Sequence, residues 1–177
     1  MAEQRYYAVV TGDVVSSGRF ARADLLDALR RALSLAERHA DGRFETYRGD
    51  SFQGLLSSPE RGLSAAILIR ADLLANERLA GGSKRADARV AVGVGTIEHR
   101  APGGVGESTG QAFELSGPVL DGMKTGRMLA VTTPWEGVNR ELSAECGLAS
   151  ALIGRWTREQ AEAMVLEVQG LSQQEAA

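Results

Sequence analysis

The stretch RFETYRGDSFQGLL, residues 43 to 56, predicts the centre of the fold. Its two ends, RFETY and SFQGLL, have the composition of short strands, and the polar residues Arg48, Gly49 and Asp50 lie between them. Two strand-like segments joined by so short a polar link are typical of a β-hairpin. Asp50 at the tip of this hairpin either shapes a turn, as aspartate often does, or is a carboxylate held out to bind a metal ion.

The segments around the hairpin predict alternating strands and helices. RYYAVVTGDVV, residues 5 to 15, is apolar in its middle and ends near Asp13, which is typical of a buried strand with a polar end. A leucine-rich helix precedes the hairpin, a second helix follows it, and ARVAVGVGTI, residues 88 to 97, predicts the next strand. This βαββαβ order is that of an α+β, ferredoxin-like fold. Because its first and third strands are neighbours, Asp13 and Asp50 are expected at the same edge of the sheet.

The later segments predict an additional αβ unit. Ser58 starts the second helix, which is expected to run to Gly81. Beyond the strand that follows, a loop leads to a helix that is expected to be interrupted near Pro118, and RMLAVTTP, residues 127 to 134, predicts a final strand. The chain is therefore predicted to divide into a ferredoxin-type domain, residues 1 to 134, and a helical tail, residues 135 to 177.

Composition excludes several classes of function. The chain has 177 residues and a net charge of −3, so nothing in it is basic enough to suggest bulk binding of nucleic acid. One cysteine, Cys146, and two histidines rule out an internal disulfide and argue against a zinc site of the Cys/His type. No signal peptide and no apolar run of about 20 residues is present, so a cytoplasmic protein with no membrane partner is expected.

Two carboxylates at one sheet edge predict a site for Mg²⁺ or Mn²⁺, because these hard cations take carboxylate oxygens together with water and substrate phosphates. Asp13 and Asp50 are the predicted ligands. Small residues after the first strand let backbone N–H groups and hydroxyls approach a phosphate, and nearby arginines add positive charge. The predicted phosphate contacts are Val14, Val15, Ser16, Ser17, Arg19 and Arg48.

Three other residues are expected to have structural roles. Arg89 opens a strand and is expected to cover the end of the sheet or to pair with an acid. Gly93 and Gly95 are expected to let a neighbouring backbone or a ligand approach closely.

Four blocks in order resemble the SatD-like family of bacterial proteins over residues 5 to 130: YYAVVTGDVVSSGR, YRGDSFQGLL, ARVAVGVGTI and STGQAFELSGPVLDGMK. The same layout is more distantly similar to the palm domains of nucleotidyl cyclases and diguanylate cyclases. That resemblance implies a nucleoside triphosphate or other nucleotide as ligand and a homodimer as assembly. It also matches Asp13 and Asp50 to the metal-binding acids of those families.

The departures from the cyclase pattern concern the catalytic end. Arg48 stands where the hairpin motif has its first glycine, and Ser51 replaces its second acid. Glu114 replaces the asparagine of class III cyclases and is a candidate for a catalytic group, while Pro118 stands near the position of their arginine. The resemblance therefore implies a nucleotide sensor or a divergent nucleotidyl-transfer enzyme rather than an ordinary cyclase.

The alternative is a non-catalytic regulatory protein of the SatD-like family, in which Asp13 and Asp50 serve only as turn residues. The tail resembles the first half of a helix-turn-helix, with a helix predicted to start at Ser172, but the sequence stops at Ala177 before a recognition helix. DNA binding by this chain is therefore not expected. A truncated or decayed helix-turn-helix is the expectation for residues 135 to 177.

Overall fold

Strand β1, Tyr7–Val14, lies at the centre of a five-stranded sheet and carries apolar side chains on both faces. The computed structural model describes residues 5–47, 49–81, 84–124 and 126–170. Its other strands are β2 (Gly42–Tyr47), β3 (Ser51–Leu56), β4 (Ala80–Gly81), β5 (Lys84–Arg85), β6 (Ala88–Gly95) and β7 (Leu129–Thr132). Its helices are α1 (Arg22–Ala40), α2 (Gly62–Ala75), α3 (Gln111–Asp121), α4 (Glu136–Ile153) and α5 (Arg158–Val168).

The sheet has the order β2-β3-β1-β6-β7. Its first four strands are antiparallel and follow the ferredoxin-like arrangement, and β7 adds to the edge of β6 in parallel. The α+β prediction, with an added αβ unit and helices after it, is therefore confirmed. Strands β4 and β5 form a separate two-stranded pair.

Alternating side chains of β1 reach two different layers. Val10 and Val14 pack with α1 and α2 in the main core, whereas Val9 packs with Ala112 of α3 on the opposite face. This alternation follows from the period of two in a strand. Asp13 is an odd-numbered residue of β1, so it lies on the α3 face.

Helix α2 is buried on nearly every side, because α1, the sheet and α5 surround it. Ala161 of α5 and Ile153 of α4 pack against Leu74 and Ala75 of α2, and α4 also contacts β7. The tail helices thus lie on the sheet domain, and a boundary between residues 134 and 135 stays a prediction. No helix in the described ranges is both long and apolar enough to cross a membrane.

Two details of the predicted helices are wrong. The second helix ends at Ala75 instead of Gly81, since Asn76 is extended and a short 3₁₀ turn and β4 follow. Helix α3 is not interrupted, because it continues through Pro118. Proline removes one helical N–H, and the carbonyl left without a donor belongs to the exposed residue Glu114, where water can reach it. The helix predicted from Ser172 lies outside the described residues.

The close approach predicted at Gly93 and Gly95 is confirmed. A Cβ at Gly93 would overlap the carbonyl of Ala112 and lie 2.7 Å from the amide nitrogen of Ser116, and one at Gly95 would lie 2.7 Å from the Ala112 nitrogen. Both glycines therefore let the backbone of α3 rest directly on β6.

We expect Gly93→Ala to lower the free energy of unfolding by about 1–3 kcal/mol, because α3 must move away from β6 to accommodate the methyl group. Gly117→Ala on α3 is the matched control: its Cβ would meet nothing within 4 Å, so better helix propensity should stabilise the protein by about 0.5–1 kcal/mol. Urea denaturation of both variants measures these changes. Equal effects of the two substitutions would contradict the packing argument.

Candidate functional site

A cleft of about 420 Å³ opens at the end of β1. Four segments border it: the end of β1 with the loop after it, the β2–β3 turn, the start of β6, and the loop between α3 and β7. Its polar and charged lining residues are Asp13, Ser16, Asp50, Ser51, Arg89, Lys124 and Arg127. Both predicted metal ligands thus line one cleft, which is what the ferredoxin-like topology required of them.

Backbone pairing brings the two aspartates together. Asp13 lies opposite Ser51 of β3, and the N–H of Val14 donates to the carbonyl oxygen of Asp50 at 3.0 Å. Gly12 is a paired strand residue, and a Cβ there would overlap the Phe52 ring and lie 2.6 Å from the carbonyl oxygen of Arg89. The alternative in which Asp13 serves as a turn residue is therefore wrong, because Gly12 and Asp13 are paired strand residues and packing against Phe52 requires the glycine.

Gly49 and Asp50 do form the hairpin turn, with φ +88° at Gly49. A left-handed φ of this kind favours glycine. Turn geometry explains Gly49 but leaves the carboxylate of Asp50 free to line the cleft.

Asp13 is held by an ion pair with Arg89, the residue opposite it on β6. Nε of Arg89 donates to Oδ1 at 2.9 Å, and Nη2 donates to Oδ2 at 2.5 Å. This bidentate hydrogen bond, with the nearby charge of Asp121, raises the pKa of Arg89, although desolvation opposes it. The side chains remain 35% exposed for Arg89 and 26% exposed for Asp13. The expectation that Arg89 pairs with an acid is confirmed, and the acid is one of the predicted metal ligands.

Asp50 is oriented by hydroxyl groups. The Ser17 hydroxyl donates to Oδ2 at 2.7 Å, and the Ser51 hydroxyl lies 3.5 Å from Oδ1. Ser17 begins a short 3₁₀ turn directly after Ser16, which adopts a left-handed conformation with φ 57°. A second pocket of about 190 Å³, lined by Phe20 and Leu25 among others, lies beside Asp50 on the α1 side.

Of the predicted phosphate contacts, Val14, Val15 and Ser16 line the cleft and Ser17 does not. Val14 and Val15 line the cleft, but their N–H groups already donate to the carbonyl oxygens of Asp50 and Asp87, at 3.0 and 2.8 Å. Ser16 also lines the cleft, whereas Ser17 bonds to Asp50 and lines the smaller pocket.

Two further predicted site residues, Arg19 and Glu114, lie apart from the cleft. Arg19 is exposed, and neither pocket includes it. Glu114 is exposed on the first turn of α3, and that turn is bonded through Ala112 to Thr96, beyond the end of β6 that is remote from the cleft. Arg48 lies outside the described residues.

Sequence reasoning missed Lys124 and Arg127 as cleft residues. The loop that carries them reaches the cleft because β7 pairs in parallel with β6, so α3 must return to the Ala88 end of the sheet before β7 begins. Arg127 is anchored by bonds from Nη2 to the backbone oxygen and hydroxyl of Ser143, at 2.6 and 2.7 Å. The cleft therefore holds three cationic side chains and two carboxylates.

The oxygen donors suit a hard cation. Asp13 and Asp50 offer carboxylate oxygens only, and within the described ranges no group of three or more His, Cys, Asp or Glu residues could hold a metal. Two carboxylates fit Mg²⁺ or Mn²⁺, which complete their coordination with water and phosphate oxygens. They do not fit a closed zinc or calcium cage, which takes more ligands from the protein.

A second ion pair, between Arg70 and Asp87, fixes the loop that follows β1 at the cleft. The side chain of Arg70 on α2 is fully buried, and its Nε and Nη2 donate to the two carboxylate oxygens of Asp87 at 2.9 and 2.7 Å. The carboxylate of Asp87 also accepts a hydrogen bond from the N–H of Ala88. The backbone carbonyl oxygen of Asp87 accepts one from the N–H of Val15. Asp87 thus joins α2, β6 and the end of β1.

Comparison with known proteins places the fold. No model of a protein family matches the sequence, and no curated protein matches it. Among solved structures, an adenylate/guanylate cyclase/hydrolase from Silicibacter pomeroyi is 18% identical with a TM-score of 0.56, over 81% of this chain and 82% of that one. A second similar structure is the catalytic core of a rhodopsin-guanylyl cyclase with converted specificity, in complex with ATPαS. It is 14% identical with a TM-score of 0.56, over 82% of this chain and 84% of that one.

A third similar structure is the monomeric guanylyl cyclase domain of the RhoGC fusion protein from the aquatic fungus Blastocladiella emersonii. It is 16% identical with a TM-score of 0.51, over 82% of this chain and 86% of that one. These likenesses show a nucleotidyl-cyclase-like palm fold. The distant resemblance to cyclase palm domains is confirmed at the level of fold, and the resemblance to the SatD-like family stays a prediction.

We expect Asp87→Asn to lower the free energy of unfolding by about 3–5 kcal/mol, because it leaves the buried Arg70 guanidinium without a counter-charge. The double variant Arg70→Met/Asp87→Asn should recover most of this loss, since no buried charge remains. Asp27→Asn, which breaks a largely exposed pair with Arg30, should cost less than about 0.5 kcal/mol. Urea denaturation tests all three variants, and a double variant as unstable as Asp87→Asn would contradict the account.

Proposed function

We propose that this chain binds a nucleoside triphosphate together with Mg²⁺ or Mn²⁺ in the cleft at the end of β1. The observation that carries the proposal is the meeting of Asp13 and Asp50 in one cleft with Arg89, Lys124 and Arg127. Carboxylates suit a divalent cation, and the cationic side chains suit the phosphates that such a cation accompanies. The cyclase-like fold supports this reading, and one of the similar structures holds the ATP analogue ATPαS.

Each group has a defined role in the proposal. Asp13 and Asp50 supply oxygen ligands to the metal, which neutralises phosphate charge when it is bound. Lys124 and Arg127 bind phosphate oxygens from the α3–β7 loop. Ser16 presents its hydroxyl and backbone N–H from the turn after β1, where the N–H has no bonding partner among the described residues.

The biological role is that of a nucleotide sensor or a divergent nucleotidyl-transfer enzyme. Glu114, which replaces the asparagine of class III cyclases, lies away from the cleft of its own chain, so a single copy does not bring it to the phosphates. A homodimer, proposed from the resemblance to cyclases, is the assembly in which Glu114 of one copy can serve the cleft of the other. An assay for product separates the two roles.

The Arg89–Asp13 ion pair favours a second candidate function. Both carboxylate oxygens of Asp13 are already bonded, so this residue can hold β1 to β6 without any metal. In that case the chain is a regulatory protein that works through protein contacts. Dependence on metal separates the candidates, because only the first requires a divalent ion.

We expect thermal unfolding to shift upward only when Mn²⁺ or Mg²⁺ and one of ATP, GTP, CTP or UTP are both present. Ligand at 100 times its Kd adds about 2.7 kcal/mol of stability, which is roughly 5–10 °C for a domain of this size. The nucleotide that produces the shift identifies the base that the cleft prefers. Asp13→Asn and Asp50→Asn should each abolish the shift while remaining folded by circular dichroism.

Asp27→Asn is the control for these variants, because it removes one carboxylate from an exposed helical site outside the cleft. It should retain the full shift. No shift with any pair at millimolar ligand, or a shift that survives in Asp13→Asn and Asp50→Asn, would exclude the proposed site.

A further inference from the structure

Arg89 engages both of the oxygen atoms that Asp13 would offer to a metal. Its guanidinium bonds to each oxygen of Asp13, at 2.9 and 2.5 Å, so a cation that binds Asp13 has to compete with a bidentate ion pair. Asp50 carries no such ion pair among the described residues, where its side chain bonds to the neutral hydroxyls of Ser17 and Ser51. The two predicted metal ligands therefore differ in their bonding partners.

The charges of the cleft oppose a metal ion that arrives alone. Three cationic side chains and two carboxylates leave one net positive charge, and a divalent ion would increase it. A triphosphate carries more negative charge than one divalent ion neutralises. Its arrival with the metal lowers the positive charge of the cleft, so phosphate and metal should favour each other's binding.

Arg89 has both the exposure and the chemistry to change partners. Its side chain is 35% exposed and lines the same cleft as Lys124 and Arg127. A guanidinium binds phosphate in the same two-point manner as carboxylate, so a phosphate in the cleft offers Arg89 an equivalent partner. The exchange moves Arg89 within the cleft and requires no rearrangement of β6, which stays paired on both sides.

We propose that Arg89 is an internal counter-ion that holds Asp13 until a phosphate draws it away, so that metal binds only together with the nucleotide. This inference rests on the proposed function and adds to it an order of dependence between the two ligands. Arg89 acts through Asp13 and is a positioning residue. Metal in the absence of nucleotide leaves Asp13 engaged, which makes the cleft respond to the nucleotide and not to the free cation.

The test is the affinity for Mn²⁺ alone, measured by the electron paramagnetic resonance signal of free Mn²⁺. Arg89→Gln should bind Mn²⁺ at least about tenfold more tightly than wild type, because the cation no longer competes with two charged hydrogen bonds to Asp13; tenfold corresponds to about 1.4 kcal/mol. Adding Asp13→Asn should remove the gain, which places the new affinity at Asp13.

Lys124→Gln is the matched control, since Lys124 lines the same cleft but makes no hydrogen bond to Asp13 among the described residues. It removes the same charge and should change the Mn²⁺ affinity less than about threefold, as expected for an exposed charge. If Arg89→Gln proves unstable, Arg89→Lys keeps the charge, loses the two-point contact and should still gain affinity. Equal gains for Arg89→Gln and Lys124→Gln, or no gain for either Arg89 variant, would overturn the proposal.

The two proposals fail separately. If wild type binds no nucleotide with Mn²⁺, the proposed function fails whatever the Arg89 variants do. If wild type binds the Mn²⁺–nucleotide pair but Arg89→Gln gains no affinity for Mn²⁺ alone, the role of Arg89 alone fails.

Discussion

Two backbone hydrogen bonds at the end of β1 hold the candidate site together. The N–H of Val14 donates to the carbonyl of Asp50 in the hairpin turn, and the N–H of Val15 donates to the carbonyl of Asp87 before β6. The first bond brings Asp50 beside Asp13, and the second ties the loop after β1 to the buried pair of Asp87 and Arg70. The positions of the two carboxylates thus depend on the end of β1 and on the starts of β3 and β6. Through the pair of Asp87 and Arg70 they also depend on how α2 packs against the sheet.

The fold could be predicted from the sequence because its signals are local. A few consecutive residues are enough to predict the hairpin between Tyr47 and Ser51 and the apolar strands. The same is true of the glycines that face α3. The pairing of the first and third strands follows from the βαββαβ order, and with it the expectation that Asp13 and Asp50 meet. The continuous helix through Pro118 was missed, because the tolerance of a proline depends on solvent at the carbonyl it leaves free.

The charged surroundings of the aspartates could not be predicted in the same way. Arg89 reaches Asp13 through strand register, which follows from core packing across the whole sheet. A signal did exist, because Asp13 lies near the end of one strand and Arg89 near the start of another that runs antiparallel to it. Lys124 and Arg127 reach the cleft only through the parallel pairing of β7 with β6, which no local pattern specifies.

One cleft holds two carboxylates and three cationic side chains, and we propose that their partners change when metal and nucleotide bind. Anomalous scattering from crystals grown with Mn²⁺ and the nucleotide that stabilises the protein tests this most directly, because it locates the metal without reference to any activity. We predict a manganese peak between the carboxylates of Asp13 and Asp50, with the Arg89 guanidinium on phosphate. A bound nucleotide with Asp13 still paired to Arg89 and no manganese peak at the two aspartates would contradict the account.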